Sequence, residues 1–315
     1  MLLFNSIKTS EKISFGENMS KKSIIQHDRL MRFLFEDFSI RGEFVTINKI
    51  YQAILENHNY PEPVKQLLGE LLVVTCLLTA TLKFEGNITV QLHGDGPLSL
   101  AVINGNNHQQ MRGIARIKED INSESTLKEM IGNGYMIITI APNKGKHYQN
   151  IVVLEKETLS ECIEDYFRRS EQLPTRLFIR VKKDNKNPLA AGILLQILPS
   201  DDRHINGLEH LAILTETVKT EELLELSTEE MLHRLYHQET VRLFDEKSIT
   251  FRCGCSHERC AVSLMTLSKD EIKTILNENG HIDLLCDYCG KHYIFDQIDI
   301  TNLQQNIYQT NNTIH

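Results

Sequence analysis

Arg252-Cys253-Gly254-Cys255 and, thirty residues further on, Cys286-Asp287-Tyr288-Cys289-Gly290 hold four of the seven cysteines of this 315-residue chain. Four soft sulfur donors in two short pairs suit a tetrahedral Zn²⁺, with Zn–S bonds of about 2.3 Å. A Cys-x-x-Cys-Gly turn doubles the chain back with its amides toward the sulfurs, and Gly290 permits the positive φ this needs. Cys-x-Cys is tighter than the two-residue spacing usual in zinc ribbons and brings together a pair open to oxidation. Cys260 is a fifth thiol nearby, and His257, His281 and His292 are further potential donors. The two pairs already fill four positions, so these four residues read as non-ligands. Between the pairs, Ser268-x-x-Glu271 forms a capping box, Ile272, Ile275 and Leu276 an apolar stripe, and Gly280 a C-cap, which predicts a helix. Residues 293–295 predict a short strand. So small a core depends on its metal to fold.

The remaining cysteines, Cys76 and Cys162, stand alone and read as small buried hydrophobes. The length allows an ordinary buried core, so no disulfide framework is required. A net charge of −8 argues against a nucleic-acid binder, whose affinity rests on neutralising phosphates. Residues 1–18 hold no apolar run typical of a secretory signal, and Met19 offers an alternative start. The longest apolar stretch, residues 71–82, is interrupted by Thr75, Thr79 and Thr81. It falls short of the roughly 20 residues a membrane span needs and reads as a buried helix. Clustered thiols without a signal point to a soluble protein of the reducing cytoplasm.

Residues 27–36 (HDRLMRFLFE) show helical spacing, whereas Arg41-Gly42-Glu43-Phe44-Val45 looks extended. Asn48 is a candidate cap for a helix through Ile50, Ala53 and Ile54, and Pro61 and Pro63 open a longer one over residues 64–82. Alternation predicts strands at 88–92, 98–103, 135–141, 148–154, 177–181 and 191–197. Thr158-Leu159-Ser160-Glu161 is a capping box opening a helix. Gly94-x-Gly96 reads as a hairpin turn, too short for a dinucleotide fingerprint. The fold class is α+β, with strands first and helices returning across one face. Residues 208–246 carry ten acids against three bases, nearly all of the net charge, with leucines at helical spacing and a second cap at Ser227. They read either as a surface helical hairpin or as a connector whose apolar face needs a neighbouring surface.

The chain as a whole resembles the heat shock protein 33 family of redox-regulated holdase chaperones. The resemblance rests on Cys253-x-Cys255 with Cys286-x-x-Cys289, and on Arg41-Gly42-Glu43, Ala101-Val102-Ile103-Asn104-Gly105-Asn106-Asn107 and Gln110-Met111-Arg112-Gly113. Gly132-Asn133-Gly134-Tyr135, Glu164-Asp165-Tyr166-Phe167, Glu171-Gln172-Leu173-Pro174 and Lys219-Thr220-Glu221-Glu222 extend it. It implies an ATP-independent chaperone, not an enzyme, with one Zn²⁺ held by Cys253, Cys255, Cys286 and Cys289 in an inactive, reduced state. Oxidation is then implied to form the disulfides Cys253–Cys255 and Cys286–Cys289, release zinc and unfold the connector. The activated protein would bind unfolding clients during oxidative stress, as a homodimer, without nucleic acid or membrane as partner.

On this basis residues 1–22 are an extension with little structure, 23–199 an α+β chaperone core and dimerisation domain, and 200–250 a metastable acidic helical linker. Residues 251–300 are the redox-sensing zinc domain and 301–315 a flexible tail. Two rival readings remain. A zinc-ribbon nucleic-acid binder would need a basic stripe, but Asp283, Asp287 and Asp296 offset Arg252, Arg259 and Lys291. A thiol–disulfide oxidoreductase would need Cys-x-x-Cys to open a helix, whereas here it precedes a strand.

Overall fold

The structure is a computed structural model that describes residues 27–81, 85–182, 184, 186–198 and 205–303. The expected extension at 1–22 and residues 304–315 of the expected tail lie outside them. Two units divide at Arg252 and Cys253.

The first unit begins with strands β1 (Arg29–Phe35) and β2 (Ile40–Ile47) and helices α1 (Lys49–Leu55) and α2 (Glu62–Ala80). Strands β3 (Gly86–His93), β4 (Leu98–Asn106) and β5 (Gln110–Ile117), helix α3 (Leu127–Ile131), and strands β6 (Tyr135–Pro142) and β7 (Tyr148–Val153) follow. Helix α4 (Leu159–Tyr166) then leads to β8 (Thr175–Lys182) and β9 (Leu189–Ile197). Helices α5 (Ile205–Glu216), α6 (Thr220–Glu225) and α7 (Thr228–Tyr236) precede three short strands, β10 (Val241–Leu243), β11 (Lys247–Ser248) and β12 (Thr250–Phe251). One sheet has the order β10-β1-β2-β9-β8, with β11 also on β1; the other has the order β12-β5-β4-β3-β6-β7.

Helix α2 lies between these sheets rather than on one face of a single sheet, which corrects the expected arrangement. Its core takes Leu30, Val45, Ile47 and Leu194 from the first sheet and Ile88, Val90, Leu92, Ala101 and Ile103 from the second. All but four of its 19 residues are buried, since its sequence is apolar on more than one stripe. By length and mean hydropathy it passes as a membrane span, but it is the core helix of this fold. Thr75 and Thr79 satisfy their hydroxyls by donating to the carbonyls of Leu71 and Thr75, at 2.7 and 2.5 Å.

The stretch expected to be helical at 27–36 is strand β1. Both its faces are covered: Leu30 packs toward α2, while Met31, Phe33 and Phe35 pack on the opposite side. A strand buried on two sides loses the clean alternation that identifies it, and its apolar positions mimic helical spacing. Opposite Phe33 the partner is Gly42, where a Cβ would sit 2.1 Å from the Phe33 ring, so Arg41-Gly42-Glu43 needs its glycine. Asn48 occupies the N-cap of α1, but its side chain makes no capping bond and donates to Asn187 Oδ1 and the Pro188 carbonyl. Instead the Asp28 carboxylate accepts from the amides of Asn48, Lys49 and Ile50 at 2.9, 3.1 and 3.2 Å.

The acidic segment is three helices rather than a surface hairpin. Leu208, Leu211, Leu223, Leu224, Met231 and Leu232 are buried against Phe33, Phe35, Phe44, Phe178 and Ile193 of the first sheet. The Tyr236 ring meets Phe35 edge-on at 4.8 Å, and its hydroxyl lies 2.5 Å from that of Thr215. Ser227 and Glu230 complete the capping box of α7. Residues 241–250, expected in the helical linker, hold β10, β11 and the start of β12 instead of helix; Val241 and Leu243 are buried where β10 pairs with β1.

In the second unit, α8 (His257–Leu264) and α9 (Lys269–Asn279) accompany a hairpin of β13 (Ile282–Leu285) and β14 (His292–Phe295). The Ser268 capping box and the left-handed Gly280 are as the sequence implies. Helix α8, capped by Ser256, was not anticipated. The core is small: Ala261, Leu264, Ile272, Leu276, Ile282, Tyr293, Phe295 and Ile300.

Leu72, fully buried between the sheets, should on substitution Leu72→Ala lower unfolding stability by about 2–5 kcal/mol in urea titrations. Asp28→Ala, which strips three amides of their acceptor, should cost about 1–2 kcal/mol in the same assay.

Candidate metal centre

Two turns deliver the four sulfurs. Gly254 takes φ +69° between Cys253 and Cys255, and its carbonyl accepts from Arg259 Nη1 at 2.6 Å. At the second turn the Cys286 amide donates to the Lys291 carbonyl at 2.9 Å. The Gly290 amide, at φ +67°, returns to the Cys286 carbonyl at 2.8 Å. Cys286 directly follows β13 and Cys289 precedes β14, so the hairpin fixes the spacing of that pair.

All four Sγ atoms lie within 4.8 Å of one another. Two separations across the pairs are 3.4 Å for Cys253–Cys286 and 3.5 Å for Cys255–Cys289. A tetrahedral ion with metal–sulfur bonds of about 2.3 Å has sulfur–sulfur edges of about 3.8 Å, so the half-buried quartet can hold a metal ion. Cys260 stands outside this quartet and packs into the small core beside Cys255 and Cys286. The His257 ring stacks on Phe295 at 4.2 Å, His292 Nδ1 pairs with Asp283 at 2.9 Å, and His281 is exposed. Cys76 and Cys162 are buried in the first unit, where burial raises both thiol pKa values.

The sequence reading missed the role of Tyr293. Its hydroxyl donates to Cys255 Sγ at 3.1 Å, and Lys291 Nζ lies 5.1 Å from its ring centroid. Alternation along β14 was the available signal, since it turns Tyr293 and Phe295 inward immediately after Cys289. The thiols are unequal. Burial opposes ionisation of Cys255, but the Tyr293 hydroxyl and the neighbouring thiols outweigh it and hold that thiol at about 7. At Cys253 burial dominates, reinforced by Cys255, and pushes the pKa up. Burial also raises Cys289.

Known proteins resemble this chain over most of its length. The family model described as Hsp33 protein matches residues 28–296. The 33 kDa chaperonin of Serratia proteamaculans is 58% identical over 277 residues, covering 88% of this chain and 95% of its own. That of Salmonella typhimurium is 56% identical over 290 residues, covering 92% and 99%. The crystal structure of the Thermotoga maritima 33 kDa chaperonin covers 90% of this chain and all of its own at a TM-score of 0.76. At 21% identity that likeness establishes the shared fold. These relatives bear the name of a chaperone, not of an enzyme, and the chain belongs to the Hsp33 family.

Proposed function

We propose that this chain is a redox-regulated, ATP-independent holdase of the bacterial cytoplasm, with Zn²⁺ as the ion of its cysteine quartet. The observation that carries this reading is the quartet itself, four thiols converging within 4.8 Å in a unit with a core of eight buried apolar residues among those described. Bound zinc keeps four sulfurs as thiolates and joins the two turns; in zinc-finger peptides such binding contributes about 10–16 kcal/mol to folding. Cys253, Cys255, Cys286 and Cys289 are the ligands, and residues 251–300 are the sensor.

A two-electron oxidant such as peroxide takes two electrons from each pair and gives Cys253–Cys255 and Cys286–Cys289, the pairing the family resemblance implies. Sulfurs in these turns must then close to about 2.0 Å, so the turns cannot keep their present geometry. The ligand set is lost, and with it the support for the module. The linker at 200–250 then detaches from the core domain at 23–199, and unfolding client proteins are held on apolar surface until they can refold. Homodimerisation belongs to this oxidised state. The acidic linker helps keep the exposed chain dispersed.

Metal analysis of reduced protein should return one zinc per chain, and peroxide should release it together with four thiols. The same oxidised sample should suppress thermal aggregation of citrate synthase while the reduced sample does not. Equal protection by both forms would reject redox control, and catalytic turnover of insulin disulfides would favour an oxidoreductase. Tyr293→Phe, which removes the donor to Cys255, should weaken zinc binding about tenfold in competition with a chromogenic chelator.

A further inference from the structure

Strand β8 sets Arg176, Phe178, Arg180 and Lys182 on one face of the first sheet, because alternate residues of a strand share a face. Phe178 belongs to the apolar core beneath the helical segment, and the Arg176 guanidinium carbon lies 5.9 Å from its ring centroid. The helices answer these bases with acids. Arg176 reaches Glu216 at 2.8 Å and Glu209 at 3.3 Å on α5, and Lys182 reaches Glu225 on α6 at 3.0 Å. Glu164, on α4, also approaches Arg176 at 3.7 Å. The acids on α5 and α6 border the leucines that plug the sheet, Leu208, Leu211, Leu223 and Leu224. The face is therefore apolar in the middle and basic along its β8 edge. Its occupant is a helical segment with an apolar stripe and an acidic margin.

We propose that this face, once vacated, docks amphipathic helical segments of client proteins whose apolar stripe is bordered by Asp or Glu, in preference to segments bordered by Lys or Arg. The proposal rests on the reading that oxidation detaches the linker. The linker is the template: what the sheet covers itself with in the resting state defines what it accepts afterwards. Apolar burial supplies most of the affinity, and the partly exposed ion pairs, each weak, choose between segments of similar apolarity. The preference is electrostatic and shrinks with salt.

The test uses the full chain, oxidised with peroxide, and two fluorescein-labelled peptides. One carries residues 205–238 of this chain, and the other carries Glu209→Lys, Glu216→Lys and Glu225→Lys in the same sequence. Anisotropy titrations at low salt should give affinity about tenfold higher for the acidic peptide. In 0.5 M NaCl the ratio should fall toward one, as it should at low salt in a chain carrying Arg176→Gln, Arg180→Gln and Lys182→Gln. The salt arm tests the same point without any substitution. Equal affinities at low salt, or preference for the lysine peptide, in an oxidised chain that suppresses aggregation would overturn charge selection and leave linker release standing. Binding of neither peptide by an oxidised chain that fails to suppress aggregation would overturn both.

Discussion

The first sheet is apolar on both faces, and a two-sided apolar sheet has to be covered twice. One cover is α2, which is continuous with the central core and shared with the second sheet. The other is the acidic segment of α5, α6 and α7, which contributes to a separate core on the far side. The two covers differ in kind. Helix α2 is enclosed between two sheets, so its exposure would dismantle the unit. The acidic segment covers its sheet from one side, holding it with leucines and a margin of partly exposed ion pairs. A cover of the second kind can leave while the platform beneath remains folded, and the proposed release depends on this asymmetry.

The second unit imposes a different constraint. Its helices are well capped at Ser256 and Ser268, and its hairpin is regular, but local caps contribute only about 1 kcal/mol each. With so few apolar side chains to bury, a metal ion held by the quartet of sulfurs would be the largest cohesive element available to it. Cohesion that rests on thiolates is sensitive to oxidants in a way that cohesion resting on leucines is not, since oxidation removes the ligand itself. On the proposed reading the same residues are the support of the module and its point of failure.

The four cysteines were legible in the sequence because their signal is local: paired spacing, a following glycine and a capped helix between them all lie within one short stretch. The capping boxes at Thr158, Ser227 and Ser268 were legible for the same reason, each being a four-residue pattern with a fixed hydrogen-bonding consequence. What escaped was non-local. Strand β1 resembled a helix because layers far apart in sequence cover both of its faces. Asp28 caps α1 from twenty residues upstream, a partnership that no spacing rule encodes. Tyr293 became part of the site through hairpin register, which places its hydroxyl against Cys255 thirty-eight residues earlier. The capture of residues 241–251 by the sheets depends on β1 and β5 offering open edges.

The charge of the acidic segment gains its meaning from this tertiary context. In the sequence it was an excess of carboxylates, as suited to a solvated surface hairpin as to a connector. In the fold, Glu209, Glu216 and Glu225 meet the bases of β8, while the leucines beside them close the apolar face. Neither feature alone would make a reversible cover. A wholly apolar segment would bind the sheet tightly and, once detached, would itself aggregate; a wholly acidic one would leave the phenylalanines of β1 and β2 exposed. The combination allows a cover that fits the sheet when docked and stays hydrated when free. Fit to an apolar, base-edged platform and solubility away from it are demands on the same residues, and an acidic amphipathic helix meets both.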